Sequence, residues 1–210
     1  MDKKQHWEQV YTTKASDHVS WFQEHADLSL ALIKQTDVAK DAAIIDVGGG
    51  ASNLVDDLAA EGYSDLTVLD LSSAALDVAK QRLGKHAEAV QWIVGDITQA
   101  ELAANRFDVW HDRAVFHFLT NQADRQAYVE QVMRSVSPNG HVIIATFSED
   151  GPEKCSGLPV MRYSHKTLHA EFGNDFLLVK HQKEAHHTPF GTVQQFVYCY
   201  FLHSPQEGSR

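Results

Sequence analysis

The 210-residue sequence predicts an α/β fold built on a doubly wound, mostly parallel sheet. Three observations predict it. Short apolar runs alternate with stretches of helical spacing, three consecutive glycines follow the first run, and two long β-rich runs lie near the end of the chain. Alternation of strands and helices favours a parallel sheet, because each crossover between parallel strands needs a connection such as a helix.

The first predicted strand spans residues 42–47 (AAIIDV) and ends at Gly48–Gly50. A nearly continuous apolar run of this length is typical of a strand buried on both faces of a sheet. Ser52 or Asn53 is the predicted N-cap of the helix that follows. Its apolar positions at helical spacing are Leu54, Val55, Leu58 and Ala59.

The middle of the chain repeats this alternation. Further strands are predicted at 66–71, 89–94, 106–111 and 141–147, with helices after Ser72 and over 122–136 and a turn at Pro138–Gly140. Beyond the fifth strand, the pattern predicts a loop at 148–160, a short helix at 164–171 and two strands at 175–185 and 192–202. The segment 186–191 between these two strands contains Pro-x-Gly and predicts a hairpin, so the last strand is antiparallel.

Domain organisation follows from length and composition. We expect one domain over residues 1–203, because one core suits a chain of this size. Residues 1–35 form an N-terminal lid or helical segment in this interpretation, and 204–210 form a flexible tail. Within the lid, 7–22 is rich in aromatic residues, although no strand or long helix is predicted there.

The composition excludes several classes of function. With 18 basic and 28 acidic residues, the formal net charge is −10, which disfavours a general nucleic-acid binder. No secretory signal or membrane-spanning stretch is visible, so we expect a cytoplasmic protein without a membrane partner. Cys155 and Cys199 form no CxxC motif, and no carboxylate joins His165 and His169 at a compatible helical position, so no metal site is expected.

The glycine turn is the most informative stretch. Gly48–Gly50 lead from a strand into a helix, which allows a ligand to approach the backbone and the helix N-terminus. Asp70 follows the second strand, where doubly wound folds place a carboxylate that binds ribose hydroxyls. A dinucleotide fingerprint requires a third glycine at the position of Asn53. Asp46 would face a pyrophosphate there, whereas it suits a cofactor that carries a sulfonium and an ammonium group.

Four segments then carry a resemblance to a known family. IIDVGGGASNLVDDL, LTVLDLS, VGDIT and FDVWHDRAVFHFL resemble motifs I to IV of class I S-adenosylmethionine-dependent methyltransferases of a small bacterial type, in the right order and spacing. The resemblance covers about residues 5–202. It implies a methyltransferase with S-adenosyl-L-methionine as cofactor, and a Rossmann-like seven-stranded sheet in the order 3-2-1-4-5-7-6 with strand 7 antiparallel.

The resemblance also implies cofactor-binding positions. The glycine turn would pack under the methionine part of the cofactor with Asp46 near its amino group, Asp70 would bind the ribose hydroxyls, and Asp96 would accept from the adenine amino group. The full set implied for the cofactor is Tyr11, Trp21, Asp46, Gly48, Gly49, Gly50, Asn53, Asp70, Leu71, Asp96, Ile97, His111 and Asp112.

The acceptor side is predicted from topology. Loops at the carboxyl ends of the strands should meet the lid, and aromatic faces such as Tyr11 and Trp21 favour a sulfonium. In the alternative interpretation, both rings cover the edge of the core. Tyr11 and His117 are the candidate catalytic residues. The candidate substrate-binding residues are His117, Cys155, Arg162, Tyr163 and His187.

Three functions remain open at this stage. The leading hypothesis is methyl transfer by a monomer or homodimer to a small-molecule acceptor, for which a thiol, sulfide or other soft nucleophile is suggested. The second hypothesis is a protein-lysine methyltransferase, which the acidic net charge would help to recruit a basic partner. The third is a non-catalytic S-adenosylmethionine-binding module, and an NAD-dependent dehydrogenase is the weakest rival.

Overall fold

A computed structural model describes residues 3–204 and contains a seven-stranded sheet in the order β3-β2-β1-β4-β5-β9-β8. The strands of this sheet are β1 (Ala43–Val47), β2 (Asp65–Asp70), β3 (Val90–Val94), β4 (Phe107–Arg113), β5 (Val136–Phe147), β8 (Phe176–His187) and β9 (Val193–His203). Neighbouring strands from β3 to β5 pair in parallel, whereas β9 is antiparallel to both β5 and β8. Counted over these seven strands, the predicted order 3-2-1-4-5-7-6 with strand 7 antiparallel is confirmed.

Helices cover both faces of the sheet, as expected for a doubly wound fold. They are α1 (Lys3–Thr13), α2 (Asp27–Lys34), α3 (Leu54–Ala60), α4 (Ser73–Leu83), α5 (Gln122–Ser135) and α6 (His165–Phe172). One core cluster packs α5 and α6 against the sheet, and a second packs α2, α3 and α4 against the opposite face. All five residues of β1 are buried between the two clusters, which explains its continuous apolar run.

Capping residues define the predicted helix after Ser72 accurately. The Ser72 side chain accepts a hydrogen bond from the backbone N–H of Ala75 at 3.1 Å, which satisfies a free donor of the first turn of α4. The helix ends before Gly84, whose positive φ of 57° suits glycine.

The N-terminal segment corrects one expectation. Residues 7–22 were expected to contain no long helix, but α1 covers Lys3–Thr13. The helix lacks a broad apolar stripe, and Val10 is its buried residue, so hydrophobic periodicity could not reveal it.

Two further stretches differ from expectation. The predicted turn at Pro138–Gly140 lies inside β5, where the register with β4 shifts and Asn139 has φ of 64°. Turn-forming residues here produce a bulge and not a chain reversal. The predicted loop at 148–160 contains a hairpin of β6 (Lys154–Cys155) and β7 (Leu158–Pro159). The tail predicted at 204–210 lies outside the described residues except for its first position, and within residues 3–204 no helix could cross a membrane.

Candidate functional site

A cleft with an empty volume of about 820 Å³, its open mouth included, lies at the carboxyl ends of the parallel strands. Helix α1 covers it, and the ends of β1, β2, β3 and β4 form its floor. The lining residues are Lys3, Trp7, Tyr11, Trp21, Val47, Gly48, Leu69, Asp70, Leu71, Gly95, Asp96, Ile97, Arg113, Ala114, Val115, Phe118, Leu119 and Cys155. This is the position that doubly wound folds use for ligands.

The glycine turn forms one wall of the cleft and leaves no room for side chains of its own. A Cβ on Gly48 would lie 2.0 Å from Val115 Cγ2, and Gly48 has φ of 68°. On Gly49, a Cβ would lie 2.5 Å from Asp46 Oδ2, and on Gly50 it would lie 2.7 Å from Asp70 Oδ2. The absence of side chains here therefore keeps two carboxylates close to the backbone turn.

A second, smaller cavity adjoins the cleft beyond the glycine turn. Asp46 of β1 lies beside His111 of β4 in the sheet register, and His111 Nδ1 is 2.7 Å from Asp46 Oδ1. His111 Nε2 in turn lies 2.9 Å from Ser29 Oγ on α2. The other carboxylate oxygen, Asp46 Oδ2, is buried and has no hydrogen-bond partner among residues 3–204. Since a buried carboxylate oxygen normally has a donor, this oxygen is available to a cationic ligand group in the cavity.

Asp70 is the main acid of the cleft. Its Oδ1 accepts a hydrogen bond from the Ser72 backbone N–H at 2.8 Å, which fixes the carboxyl group at the end of β2. Burial raises the pKa of Asp70 to about 7, and the nearby Asp46 and Glu8 carboxylates add to this rise. Hydroxyl groups of a ligand would stabilise the buried carboxylate, because their hydrogen bonds would replace those of the water that burial removes.

Asp96 lies after β3 on the same side of the cleft. Its Oδ1 accepts from the Thr98 backbone N–H at 2.9 Å and from Thr98 Oγ1 at 2.8 Å. The apolar residues Leu71 and Ile97 line the cleft with Asp96. This part of the cleft combines one oriented carboxylate with apolar walls, as a flat heterocycle with an amino group requires.

Aromatic side chains form the roof. Trp7 packs on Trp21 and Phe118 with ring centroids 5.5 and 5.2 Å apart, and Tyr11 packs on Trp21 at 6.3 Å. The Trp21 indole N–H donates a hydrogen bond to Tyr11 Oη at 3.1 Å. Burial, together with the Asp70 charge, raises the pKa of the Tyr11 hydroxyl above its usual value, so this hydroxyl keeps its proton.

Polar contacts attach α1 to two neighbouring helices, α5 and α4. Lys3 pairs with Asp124 of α5 at 3.1 Å. Glu8 accepts from Ser73 Oγ at 2.8 Å and from the Ala74 backbone N–H at 3.2 Å, at the positive end of the α4 dipole. These contacts lie at the surface, so the roof is held weakly compared with the core.

Arg113 and Cys155 complete the wall opposite Asp70. Arg113 donates from Nε to Tyr198 Oη at 2.9 Å and from Nη1 to the Trp21 carbonyl at 3.1 Å, while its Nη2 lies 3.5 Å from Glu184 Oε2. Burial raises the pKa of the Cys155 thiol to about 12, and the Arg113 charge opposes this rise. Cys155 is therefore a neutral thiol at physiological pH.

The structure brings most of the predicted cofactor residues together. Tyr11, Trp21, Gly48, Asp70, Leu71, Asp96 and Ile97 line the cleft, and Asp46, Gly49 and His111 line the adjoining cavity. Of the predicted substrate-binding residues, Cys155 also lines the cleft. Gly50 lies below the Asp70 carboxyl group. Asn53 lines neither cavity, because its Nδ2 donates to the carbonyls of Gln23 and Glu24 and thereby holds the chain between α1 and α2.

His117 and Asp112 require a correction, because both lie outside the cleft. His117 is fully buried, its Nδ1 accepts from the Phe147 backbone N–H at 3.3 Å, and burial lowers its pKa to about 3. It therefore cannot exchange protons with a ligand in the cleft. Asp112 accepts from Tyr128 Oη at 2.6 Å and from the Val115 backbone N–H at 2.9 Å, so it fixes the turn after β4.

Three further candidates do not reach the cleft. Arg162 donates to the Gly151 carbonyl and to Glu153, and Tyr163 is buried against Phe116 in the core. His187 is exposed at the end of β8.

Lys3, Trp7, Arg113 and Phe118 are among the lining residues that the sequence interpretation missed. The spacing of Trp7 and Tyr11 by four residues was the available signal, since such residues share one face of a helix. Among residues 3–204, no group of three metal-ligating side chains is present.

Comparison with known proteins agrees with this geometry. A family described as a methyltransferase domain matches residues 45–144, which include the glycine turn, Asp70 and Asp96. One curated relative is EEF1A lysine methyltransferase 2 of Danio rerio, 26% identical over 157 residues that cover 68% of this chain and 67% of the relative. Across the curated relatives, the aligned part spans between 19% and 78% of the relative's own length.

Solved structures share the fold over most of the chain. A structure concerned with the conversion of a disulfide bond into a thioacetal group during echinomycin biosynthesis covers 97% of this chain and 94% of its own, with a TM-score of 0.79 and 18% identity. The 1,6-didemethyltoxoflavin-N1-methyltransferase of Burkholderia thailandensis, solved with S-adenosylhomocysteine, covers 93% of this chain and 81% of its own, with a TM-score of 0.68 and 18% identity.

Proposed function

Because the chain belongs to the class I S-adenosylmethionine-dependent methyltransferases, we propose that it transfers a methyl group to a small-molecule acceptor, with a thiol, sulfide or other soft nucleophile favoured. The cofactor supplies an activated methyl group on a sulfonium. The protein then contributes binding, alignment and exclusion of water, which can account for effective molarities of about 10⁵ M or more.

The observation that carries this proposal is the pair of acids on either side of the glycine turn. Asp46 Oδ2 is buried without a partner in the smaller cavity, where it would accept from the cofactor's ammonium group. On the other side, the Asp70 carboxyl group would bind the two ribose hydroxyls. The turn has no Cβ that would block the part of the cofactor between its ammonium group and its ribose. The residues present thus fit S-adenosylmethionine along its whole length.

The far side of the cleft fits the adenine. Leu71 and Ile97 would flank the ring, and Asp96 would accept from its exocyclic amino group. Thr98 already orients this carboxylate, so little side-chain freedom would be lost on binding.

The acceptor side favours a small molecule. Trp7, Tyr11 and Trp21 close the cleft from above, and the β6–β7 hairpin closes it at Cys155. The carboxylates that line the cleft, Asp70 and Asp96, are assigned to the cofactor. His117 is buried and neutral, and the His111 ring is held between Asp46 and Ser29. Among residues 3–204, the two cavities therefore offer no unassigned base to remove a proton from the acceptor. A nucleophile that arrives ionised or needs no deprotonation therefore suits this site.

The test is transfer of a labelled methyl group. The protein is incubated with methyl-labelled S-adenosylmethionine and either sulfide or methanethiol, and volatile methylated products are counted. We expect product above the blank, and a loss of at least tenfold in Asp70→Asn at subsaturating cofactor, because one ribose contact of a charged acceptor is lost. Cofactor binding measured by calorimetry without any product would instead support a non-catalytic binding module.

A protein-lysine acceptor is the second candidate. The similarity to EEF1A lysine methyltransferase 2 and the net charge of −10 favour it. A lysine acceptor must first lose its proton, for which the cleft lacks a base. Incubation of a cell lysate with labelled cofactor, followed by gel separation, tests this candidate, since labelled protein bands together with no labelled thioether would replace the small-molecule proposal.

A further inference from the structure

The point of methyl transfer can be located from the two cavities. The cleft fits the adenosyl part of the cofactor and the smaller cavity fits its amino acid part, so the sulfonium must lie where the two cavities meet. Four residues line both cavities, namely Tyr11, Trp21, Gly48 and Arg113. Gly48 belongs to the backbone turn, which leaves Tyr11, Trp21 and Arg113 as the side chains beside the reacting methyl group.

The Tyr11 hydroxyl is oriented as a donor. Trp21 donates its indole N–H to Tyr11 Oη, which occupies an oxygen lone pair. Among residues 3–204, no group accepts the Tyr11 hydroxyl proton, and Tyr11 lines both cavities. A hydroxyl that already accepts one hydrogen bond and has an unused proton is a favourable donor to an anion.

Arg113 adds positive charge at the same place. Its side chain is nine-tenths buried, and Nη2 has no hydrogen-bond partner among residues 3–204, since Glu184 Oε2 lies at ion-pair distance only. Cys155 lines the same cleft as Tyr11 and Arg113. The charged and titratable groups that line the two cavities are Lys3, Tyr11, Asp46, Asp70, Asp96, His111, Arg113 and Cys155, and Glu184 lies beside Arg113.

We propose that the acceptor is a small thiol bound as its thiolate, which the Tyr11 hydroxyl binds by hydrogen bonding and Arg113 stabilises by charge. This inference rests on the proposed function and names its substrate form. The thiolate sulfur forms a bond to the methyl carbon, while the bond from that carbon to the sulfonium breaks and its electron pair remains on the departing sulfur. No proton moves, in agreement with the lack of a base. The reaction joins an anion to a cation and produces two neutral thioethers, which a site of low polarity favours.

A spectroscopic titration tests the bound form without turnover. The probe is para-acetylthiophenol, whose thiolate absorbs at a longer wavelength than its thiol, titrated with pH in the complex with S-adenosylhomocysteine. In the native protein we expect the pKa of the bound thiol to lie below its value in buffer. In Tyr11→Phe, which keeps the ring, the acid dissociation constant of the bound thiol should fall about tenfold, as for loss of a hydrogen bond to a charged group.

Two variants complete the test. Arg113→Gln should also lower the acid dissociation constant of the bound thiol, which means that its pKa rises. Tyr200→Phe is the matched control, because Tyr200 bonds to His141 away from the cleft, and it should leave the titration unchanged. With saturating thiol, the pH profile of kcat should move to higher pH in Tyr11→Phe. The shift should equal the change in thiol pKa seen in the titration, because kcat reports the bound complex.

The outcomes separate this inference from the proposed function. An unchanged titration in Tyr11→Phe, or a native complex that binds no thiol or raises its pKa, overturns the thiolate site even if thiols are methylated. If S-adenosylhomocysteine binds but the native protein methylates no thiol, the favoured acceptor class of the proposed function fails, and the thiolate site fails with it.

Discussion

The Asp46 carboxyl group illustrates how single residues prepare the site. Its position in β1 beside His111 fixes one oxygen, and the missing side chain of Gly49 leaves the other oxygen free to face the smaller cavity. The φ of Gly49 lies outside the left-handed region, so its role is to provide space. The cavity therefore depends on glycine at position 49, because any side chain there would crowd the Asp46 carboxyl group.

Substitution Gly49→Ala tests this dependence. The new Cβ would lie 2.5 Å from Asp46 Oδ2 and 2.7 Å from Val68 Cγ1, and His111 prevents the carboxyl group from moving freely. We expect a loss of about 1–3 kcal/mol in the free energy of unfolding, as for other overpacked sites. Affinity for S-adenosylhomocysteine, measured by calorimetry, should fall at least tenfold. Gly62→Ala, where a Cβ meets no atom within 4 Å and only the positive φ adds strain, should leave this affinity unchanged.

The pH dependence of cofactor binding belongs to Asp70. In the proposed site, ribose hydroxyls would donate to the ionised carboxylate, whereas burial raises the pKa of the free carboxyl group to about 7. Binding must therefore release a proton below this pH. From about pH 8 to about pH 6, affinity for S-adenosylhomocysteine should fall about tenfold. Asp70→Asn should bind more weakly with a flat profile over this range, and a native profile without pH dependence would contradict the assigned role.

The sequence predicted the acids that line the two cavities better than the residues at the end of β4. Asp46, Asp70 and Asp96 follow directly from strand ends and the order of the motifs. Along β4, however, successive side chains point to opposite faces of the sheet, so His111 reaches Ser29 on α2 while Asp112 reaches Tyr128 on α5. Motif position alone placed both residues at the cofactor, because it does not distinguish one face from the other.

At the scale of elements, α1 differs from the rest of the molecule. The strands and the other helices that cover the sheet bury apolar residues, so their hydrophobic patterns were visible in the sequence. Helix α1 buries Val10 and attaches through polar contacts, so its position depends on residues that are distant in sequence, such as Asp124 and Ser73. Such contacts have no sequence signature, which explains why the helix was not predicted.

Substitution Val10→Ala should weaken this attachment selectively. Loss of the buried methyl groups removes about 1–2 kcal/mol of hydrophobic stabilisation. If α1 opens independently of the core, the amide hydrogens of Lys3–Thr13 should exchange more than fivefold faster, while the midpoint of global unfolding stays nearly constant. Val132→Ala in α5 is the matched control, because Val132 belongs to the core and its loss should lower that midpoint. Equal midpoints for the two variants would contradict this distinction.

For the whole molecule, the predicted topology was correct because the strands are visible in the sequence as a repeated pattern. Buried parallel strands appear as apolar runs, and the ordered alternation permits few arrangements of the sheet. The terminal hairpin of β8 and β9 was equally visible through the turn at 186–191, where Thr188 and Gly191 close the loop. Local bulges were less predictable, since Asn139 and Gly140 can occupy a turn or a strand irregularity.

Thermal unfolding gives a test of the cofactor class at this scale. S-adenosylhomocysteine at about one hundred times its Kd should stabilise the native state by about 2.7 kcal/mol and raise Tm by about 5–10 °C. NAD at the same concentration should leave Tm unchanged, because Asp46 would repel its pyrophosphate. A larger shift with NAD would favour the dehydrogenase rival.

Helix α1 contributes side chains to the compartments of both reactants, and this has a kinetic consequence. In the proposed binding mode, release of the demethylated cofactor would be easier when the helix moves away, and this movement would also disrupt the acceptor site. Cofactor and acceptor would then bind in a fixed order, with the methyl donor first. Steady-state turnover should then slow as solvent viscosity increases, since the movement of one short helix would limit the binding and release of both molecules.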